Sequence, residues 1–242
     1  MEVDGKQVED ERELEDGKLT GPGFRVSPGD GPVRDQVVTI LKHALLSGRF
    51  EPGQRLTEKS LCEWTGASRP ALREGLRQLE AEGLIVIAPN RGPSVASLDQ
   101  ETARQVYDVR TELEAYLARL AAQSAGPAEV AQMRAALIRL SDTAERGDIL
   151  GIVAAKITWN EVLFSLSRNT ELNDVIRQLN TRLRLIWPRM EMDQDNARSV
   201  VADVTAITDA IANRDQDAAE AAMRAFNQRS MRVMLAFLAP RT

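Results

Sequence analysis

The sequence predicts a mainly α chain, with an N-terminal winged helix-turn-helix domain followed by an all-α antiparallel helical bundle. Three observations predict it. Residues 57–95 read TEKSLCEWTGASRPALREGLRQLEAEGLIVIAPNRGPSV, a short helix, a glycine turn, a longer basic helix and a small hairpin in succession. After Ser97 the pattern is wholly helical, with short breaks such as Gly126-Pro127, Gly147 and Asn169. Aromatics make up only 4% of the 242 residues, while alanine and leucine abound.

Met1–Asp30 carries VEDERELEDGK and then glycine and proline, and is expected to be a disordered acidic tail over residues 1–30. An acidic run of this kind either screens a basic helix from non-specific DNA or is simply solvated. The first domain is expected over 31–98. Pro32 opens a helix running to Ser47, with Val33, Val37, Ile40, Leu41, Ala44 and Leu45 on one face. Gly48 ends it, and Glu51-Pro52-Gly53 turns the chain.

Thr57 is placed to cap the next helix, with Leu56 and Leu61 as a hydrophobic staple. Gly66 supplies the turn between the two helices of the motif. Ser68 is placed to cap the second helix, and Pro70 falls in its first turn. Leu72, Leu76 and Leu79 form an apolar stripe; Arg69, Arg73 and Arg77 recur every fourth residue on another face. Gly83 ends the helix, Leu84–Ile87 reads as a strand, Pro89–Pro93 as a turn and Ser94–Val95 as a return strand. A helix of this design places one face in the major groove, while Arg91 and Gly92 at the hairpin tip suit a wing on the DNA backbone or minor groove. Arginine stripes are commonly just solvated faces, but the turn glycine, the wing and the stripe occur together here.

These residues carry a resemblance. Ser47–Leu61 (SGRFEPGQRLTEKSL), Ser68–Ile85 (SRPALREGLRQLEAEGLI) and Asn90–Gly92 (NRG) resemble, in order and spacing, the winged helix-turn-helix of the GntR family of bacterial transcription regulators. The resemblance implies that Lys59, Ser68, Arg69, Ala71, Arg73 and Gly92 lie at double-stranded DNA, and that the protein acts as a dimer. The family often has Pro where this chain has Ala71 and commonly Thr where it has Pro70, so a hydroxyl contact at position 70 is lost.

Net charge is −5 over the chain, which alone argues against DNA. Its distribution reverses the argument. Residues 1–30 hold nine acids and four bases, residues 31–98 seven acids and nine bases, and residues 99–242 twenty acids and eighteen bases. The helix-turn-helix segment alone is positive, and a modest excess suffices when focused on one face. No apolar run approaches the ~20 residues of a membrane helix. The polar N-terminus is unlike a secretory signal, and one cysteine gives no disulfide framework, so a cytoplasmic setting is expected. His43 and Cys62 are single residues of their kinds, expected to be a helix-surface histidine and a packed thiol. They leave no zinc cluster, Cys-His pair or Ser-His-Asp signature, and glycine-rich phosphate loops are absent. No catalytic residue is expected, and no cofactor.

The second domain, 99–242, reads as helices at Asp99–Ala125, Ala128–Arg146, Asp148–Ser167, Glu171–Met190, Ala197–Asn213 and Gln216–Leu238. Val106–Ala122, Asn160–Leu172 and Ala206–Phe226 resemble, more loosely, the FCD domain, the effector-sensing half of the FadR branch of that family. Many FCD domains hold a divalent metal with one aspartate and three histidines. The resemblance puts Lys156, Asn160, Val204 and Phe226 at those four positions, which is the wrong chemistry, so no metal is expected.

Helical geometry singles out the same place. Lys156 and Asn160 interrupt the apolar face of Ile149, Ile152, Val153, Leu163 and Phe164, and Arg110 falls beside Val106, Leu113 and Leu117. A cation within an apolar face is costly unless paired or hydrated. Either the long stems snorkel to the bundle edge, or carboxylates elsewhere pair the cations, or Arg110, Lys156 and Asn160 line a pocket for an anion with Val204 and Phe226 as apolar wall. Trp159 and Trp187 read as packing residues. The expected function is a dimeric, sequence-specific regulator, a repressor on an inverted-repeat operator, released by a small anionic effector without a metal. The alternatives are an effector-independent regulator with a filled bundle, and an enzyme using Lys156 as a reactive amine.

Overall fold

The computed structural model describes residues 25–27, 29, 31–89, 91–190 and 193–239. The chain divides after Ser97 into two compact units. Most of the expected acidic tail, and Asn90 of the wing motif, lie outside the described residues. Residues 25–27, however, depart from the expected disorder. The Val26 N–H donates to the Thr65 carbonyl at 2.9 Å, and the Gln36 side chain bonds both the N–H and the carbonyl of Ser27.

The first unit contains α1 (Val33–Leu46), α2 (Glu58–Thr65), α3 (Arg69–Ala81), β1 (Ile85–Ala88) and β2 (Gly92–Val95). In α1 the apolar positions Val37, Val38, Ile40, Leu41, Ala44 and Leu45 are buried. Val33 was expected on that face but is exposed, because it lies in the first turn, ahead of the point where α1 meets its neighbours. The Thr57 hydroxyl accepts from the Ser60 N–H, which caps α2, and Leu56 and Leu61 are both buried beneath it. Gly66 turns the chain with φ +72° and donates to the Cys62 carbonyl at 2.8 Å.

Ser68 occupies the cap position of α3, but contrary to expectation its hydroxyl makes no capping bond. Pro70 has no N–H at the second helical position, and Ser68 does not take that of Ala71 at the third, the position that Thr57 uses in α2. Leu72, Leu76 and Leu79 face the core. So does Gly75, where a Cβ would sit 2.8 Å from Val37 Cγ1; a hydrogen at this place lets α3 lie against α1. The hairpin pairs Ile85 with Val95 through Ala88 with Gly92; its first strand is shifted by one residue from the expected Leu84–Ile87, and its second extends beyond the expected Ser94–Val95. The Arg91 N–H closes the turn on the Ala88 carbonyl, and Gly92 takes φ +73°. Arg55 pairs with Ser94 as an additional bridge along β2.

The second unit is a bundle of α4 (Gln100–Ser124), α5 (Pro127–Glu145), α6 (Ile149–Ser167), α7 (Thr170–Arg184), α8 (Gln194–Ala212) and α9 (Gln216–Phe237). Five of these open on an Asp or Asn whose side chain accepts a backbone N–H: Asp99, Asp148, Asn169, Asp193 and Asp215. These caps allow short connections. They also explain one discrepancy, since the Asp193 cap starts α8 at Gln194 rather than at Ala197. The other discrepancy is α7, which stops at Arg184 and continues through a 3-10 turn at Trp187–Arg189 instead of running to Met190. Position 188 is a proline with no N–H for the α-helical ladder. The main core gathers Leu117, Met133, Leu140, Trp159, Ile176 and Ile207. The Trp159 indole is fully buried and donates to Thr208 Oγ1 at 3.0 Å.

Candidate functional site

Two surfaces concentrate the residues singled out above, one in each unit. In the first, the leucine stripe of α3 is buried and the opposite face is free. Arg69, Arg73, Arg77 and Ser68 on or beside α3, Lys59 on α2, and Arg91 and Gly92 on the hairpin are exposed; Ala71 is half-buried at the start of α3. Arg73 is the most defined of these. Its Nε donates to both carboxylate oxygens of Glu58, at 2.9 and 3.1 Å, which ties α3 to α2. Among the described residues its two Nη atoms carry no hydrogen bond. The hydrogen bond from Arg73 holds the Glu58 carboxyl below its ordinary range.

Arg55 Nη2 donates to the Arg91 carbonyl at 2.8 Å and so steadies the wing. Neither Glu58 nor Arg55 was singled out from the sequence, although both stand in the motif stretch Ser47–Leu61. The Cys62 thiol is pushed up by burial, which leaves it a packing residue.

In the second unit, a cavity opens between α4, α6, α8 and α9. Arg110, Lys156, Asn160 and Phe226 all line it, as the sequence suggested. Val204 does not. It is fully buried in the main core, and its neighbour Asp203 lines the cavity instead, because adjacent helical residues point 100° apart. Asn196, Ser199 and Val200 share that face of α8 at helical spacing. Trp187 also lines the cavity, so it is wall as well as packing.

The electrostatics of this cavity rest on five groups. Arg110 is buried, and its Nε donates to Glu114 Oε1 at 3.0 Å. Glu114 also accepts from Asn180 on α7 at 3.1 Å and from Asn227 on α9 at 3.0 Å, so one buried carboxylate joins three helices. Burial alone would raise the Glu114 carboxyl. Arg110, Lys156 and the two amides outweigh it and leave the carboxyl below its ordinary range. Arg110 is therefore largely committed inside the bundle, with its guanidinium 5.1 Å from the Tyr107 ring centre, although among the described residues its Nη1 is buried without a hydrogen-bond partner.

Lys156 has a different setting. Its Nζ donates to Asn160 Oδ1 at 2.8 Å and lies 4.2 Å from the Trp159 ring centre and 4.8 Å from that of Phe226. Burial lowers its pKa to about 7, against the pull of Glu114. Asp203, raised by burial, is met by Arg229 with Nη1 2.8 Å from Oδ2.

This donor set does not fit a divalent cation. An ammonium stands where a carboxylate would be needed, and among the described residues no group of three or more His, Cys, Asp or Glu is placed to hold a metal.

Comparison with known proteins agrees with the two-part architecture. Residues 33–95 match the model of the bacterial regulatory proteins of the gntR family, and residues 105–229 match that of the FCD domain. The chain belongs to the GntR family of bacterial transcription regulators. This GntR regulator is 30% identical over 209 residues to the galactonate operon transcriptional repressor of Escherichia coli, covering 78% of this chain and 90% of that one. It is 31% identical over 198 residues to the Glc operon transcriptional activator of the same organism, covering 69% and 78%. Its fold is that of the E. coli McbR/YncC structure, with a TM-score of 0.76 at 22% identity over 86% of this chain and 100% of that one. The GntR regulator is accordingly a DNA-binding transcription regulator and not an enzyme, which removes the reading of Lys156 as a catalytic amine. Among the described residues no helix is long and apolar enough to cross a membrane.

Lys156 in the GntR regulator has a measurable signature. A lysine whose folded pKa is depressed makes the unfolded chain bind more protons between the folded and unfolded values, here from about 7 to 10.5. The cost of its charge is fully present below pH 7 and is relieved as pH rises through that window. Lys156→Met removes the charge, so this variant is expected to melt higher than the native protein at pH 6.5, with the gap narrowing by pH 9. Parallel melting curves at the two pH values would show that the ammonium carries no such cost.

Proposed function

We propose that this regulator is a dimeric repressor of the FadR-type branch that binds an inverted-repeat operator through α3 and the wing, and leaves it when a small anion enters the bundle cavity. The supporting observation is the pairing of an exposed arginine face on α3 with an open, cation-lined cavity in the effector-type bundle. Arg69, Arg73 and Arg77 provide the groove-facing charge, Lys59, Ser68 and Arg91 the backbone contacts, and Ala71 and Gly92 close approach to the duplex. One winged domain covers too few base pairs for a selective site, and two-fold protein symmetry is mirrored as a DNA palindrome. The FCD-type bundle, 99–242, carries dimerisation and the effector cavity, with Arg110, Lys156, Asn160 and Phe226 at the cavity and Val204 in the packing behind it.

Among the relatives the galactonate operon repressor is in keeping with repression and the Glc operon activator with activation, and the former's name describes an operon for a small anion. The cavity supports the effector-dependent reading through Lys156, which bonds the Asn160 amide oxygen, while Arg110 and Arg229 are held by Glu114 and Asp203 as a filled bundle would hold them. Sedimentation of the protein on a bound duplex tests the reading. Two protomers per duplex, dissociating when an anion is added in the presence of a chelator, is the expected result. A single protomer on DNA contradicts the dimer, and release that requires a divalent ion contradicts the metal-free cavity.

A further inference from the structure

The arginine face of α3 has a counterpart within the chain. Among the described residues Lys59, Arg69 and Arg77 make no ion pair or side-chain hydrogen bond, and Arg73 gives only its Nε to Glu58. The carboxylates around this face are Glu58, Glu63, Glu74 and Glu80. Glu58 is held by Arg73, and Glu80 accepts the Ile87 N–H at 3.1 Å. Glu63 belongs to α2, and Glu74 stands one 100° step off the arginine row. The chain ahead of α1 is tied to the same place. The Val26 N–H donates to the Thr65 carbonyl at 2.9 Å, and Gln36 holds Ser27 by both its N–H and its carbonyl. Arg25 Cγ lies 4.0 Å from where a Cβ on Gly66 would stand. Residues 1–24, which lie outside the described residues, therefore join the domain at the turn between α2 and α3. They hold eight acids and three bases, and Glu9–Asp16 (EDERELED) gathers six of those acids with one base.

We infer that residues 9–16 of this chain occupy the arginine face of α3 when no DNA is bound, as an intramolecular competitor for the duplex. This rests on the reading of α3 as the DNA interface. The reach is sufficient. Eight residues, 17–24, separate the acidic run from Arg25, and at ~3.3–3.6 Å each they bridge up to roughly 26–29 Å. The 13 residues of α3 measure only ~20 Å at ~1.5 Å each, so every arginine of the row is within range. The chemistry matches too, because a guanidinium fork takes a carboxylate in the same bidentate way as a phosphate. Tethering supplies an effective concentration of about 1 mM. A run that holds the face only as well as weak non-specific DNA, with a dissociation constant of about 10⁻⁴ M, is then closed about ten to one. All DNA is weakened by that one factor. Non-specific sites fall below useful affinity, whereas a cognate site, roughly 10³- to 10⁷-fold tighter, stays occupied.

Two measurements on the full chain test this. The first is fluorescence anisotropy with a duplex of random sequence, comparing the native protein with a variant carrying Glu9→Gln, Asp10→Asn, Glu11→Gln, Glu13→Gln, Glu15→Gln and Asp16→Asn. The variant is expected to bind about tenfold more tightly at about 50 mM salt, with the gap shrinking toward about 200 mM as screening opens the native contact. Equal or weaker binding by the variant overturns the competitor while the DNA interface stands. If neither protein binds DNA, the interface reading fails and this one with it. The second measurement separates contact from long-range repulsion. Carbodiimide joins a carboxylate to an amine only where the two touch, and Lys59 on α2 and Lys42 on α1 are the lysines of the described part of this domain. Peptide mapping is expected to show residues 7–12 or 13–18 joined to Lys59, and the product should vanish when the duplex is added. No such product, one indifferent to DNA, or one formed as readily on Lys42 overturns the proposal.

Discussion

Glu114→Ala is expected to destabilise the bundle by ~3–5 kcal/mol, the cost of leaving one partner of a buried ion pair alone. Glu114 is buried on α4, and its two oxygens receive Arg110, Asn180 and Asn227. Alanine would strand the guanidinium and two amide groups away from water, and it would remove the junction of α4 with α7 and α9. Replacing Arg110 and Glu114 together by methionine should recover part of the loss, because the guanidinium is no longer stranded, while the Asn180 and Asn227 amides still lack their acceptor.

The pH dependence has a defined sign. Glu114 is held below its ordinary value of 4.5, so its contribution is complete above about pH 4.5 and is lost as pH falls through its lower folded value. Urea unfolding at one protein concentration, followed by tryptophan fluorescence, measures both variants. A loss under ~1 kcal/mol in Glu114→Ala, the size of an exposed pair, would mean that the buried junction does not hold the bundle.

Arg73→Ala is expected to weaken binding to the cognate DNA by ~1–3 kcal/mol, roughly 5- to 150-fold, and to relax selectivity at one base pair per half-site. Glu58 holds Arg73 by Nε alone, which leaves both Nη atoms to form the fork that matches guanine O6 and N7. Arg73→Lys should not restore selectivity, since an ammonium has no fork. Lys59→Ala, by contrast, should weaken all sequences alike, as loss of a phosphate contact does. Competition binding against single-base variants of the site distinguishes the two. A uniform loss in Arg73→Ala would move this residue from the base edges to the backbone.

The first unit was legible in the sequence because each of its elements is set by local residues. Gly66 needs a left-handed turn, Thr57 caps its own helix, and the leucines of α3 repeat at helical spacing. Ser68 takes the cap position of α3 without making the capping bond, which its residue type alone did not foretell. The bundle helices were legible from their breaks, whereas the end of α7 depended on the proline at 188 and the start of α8 on the Asp193 cap.

Helical periodicity singled out Arg110, Lys156 and Asn160, and the resemblance Phe226; all four line one cavity. It could not assign partners. Glu114 reaches Asn180 and Asn227 across 66 and 113 residues of sequence, and no spacing rule connects them. Asp203 and Val204 were exchanged because the resemblance gave a position along α8, while the choice between cavity and core depends on one 100° step.

The DNA that the purified protein selects from a random pool tests the central claim most directly. The regulator is expected to enrich a short inverted repeat bound by two protomers, and the enrichment should collapse in Arg69→Ala and Arg73→Ala. A pool that stays unenriched, or a motif that both variants select as well as the native protein, would contradict reading of DNA by the exposed face of α3.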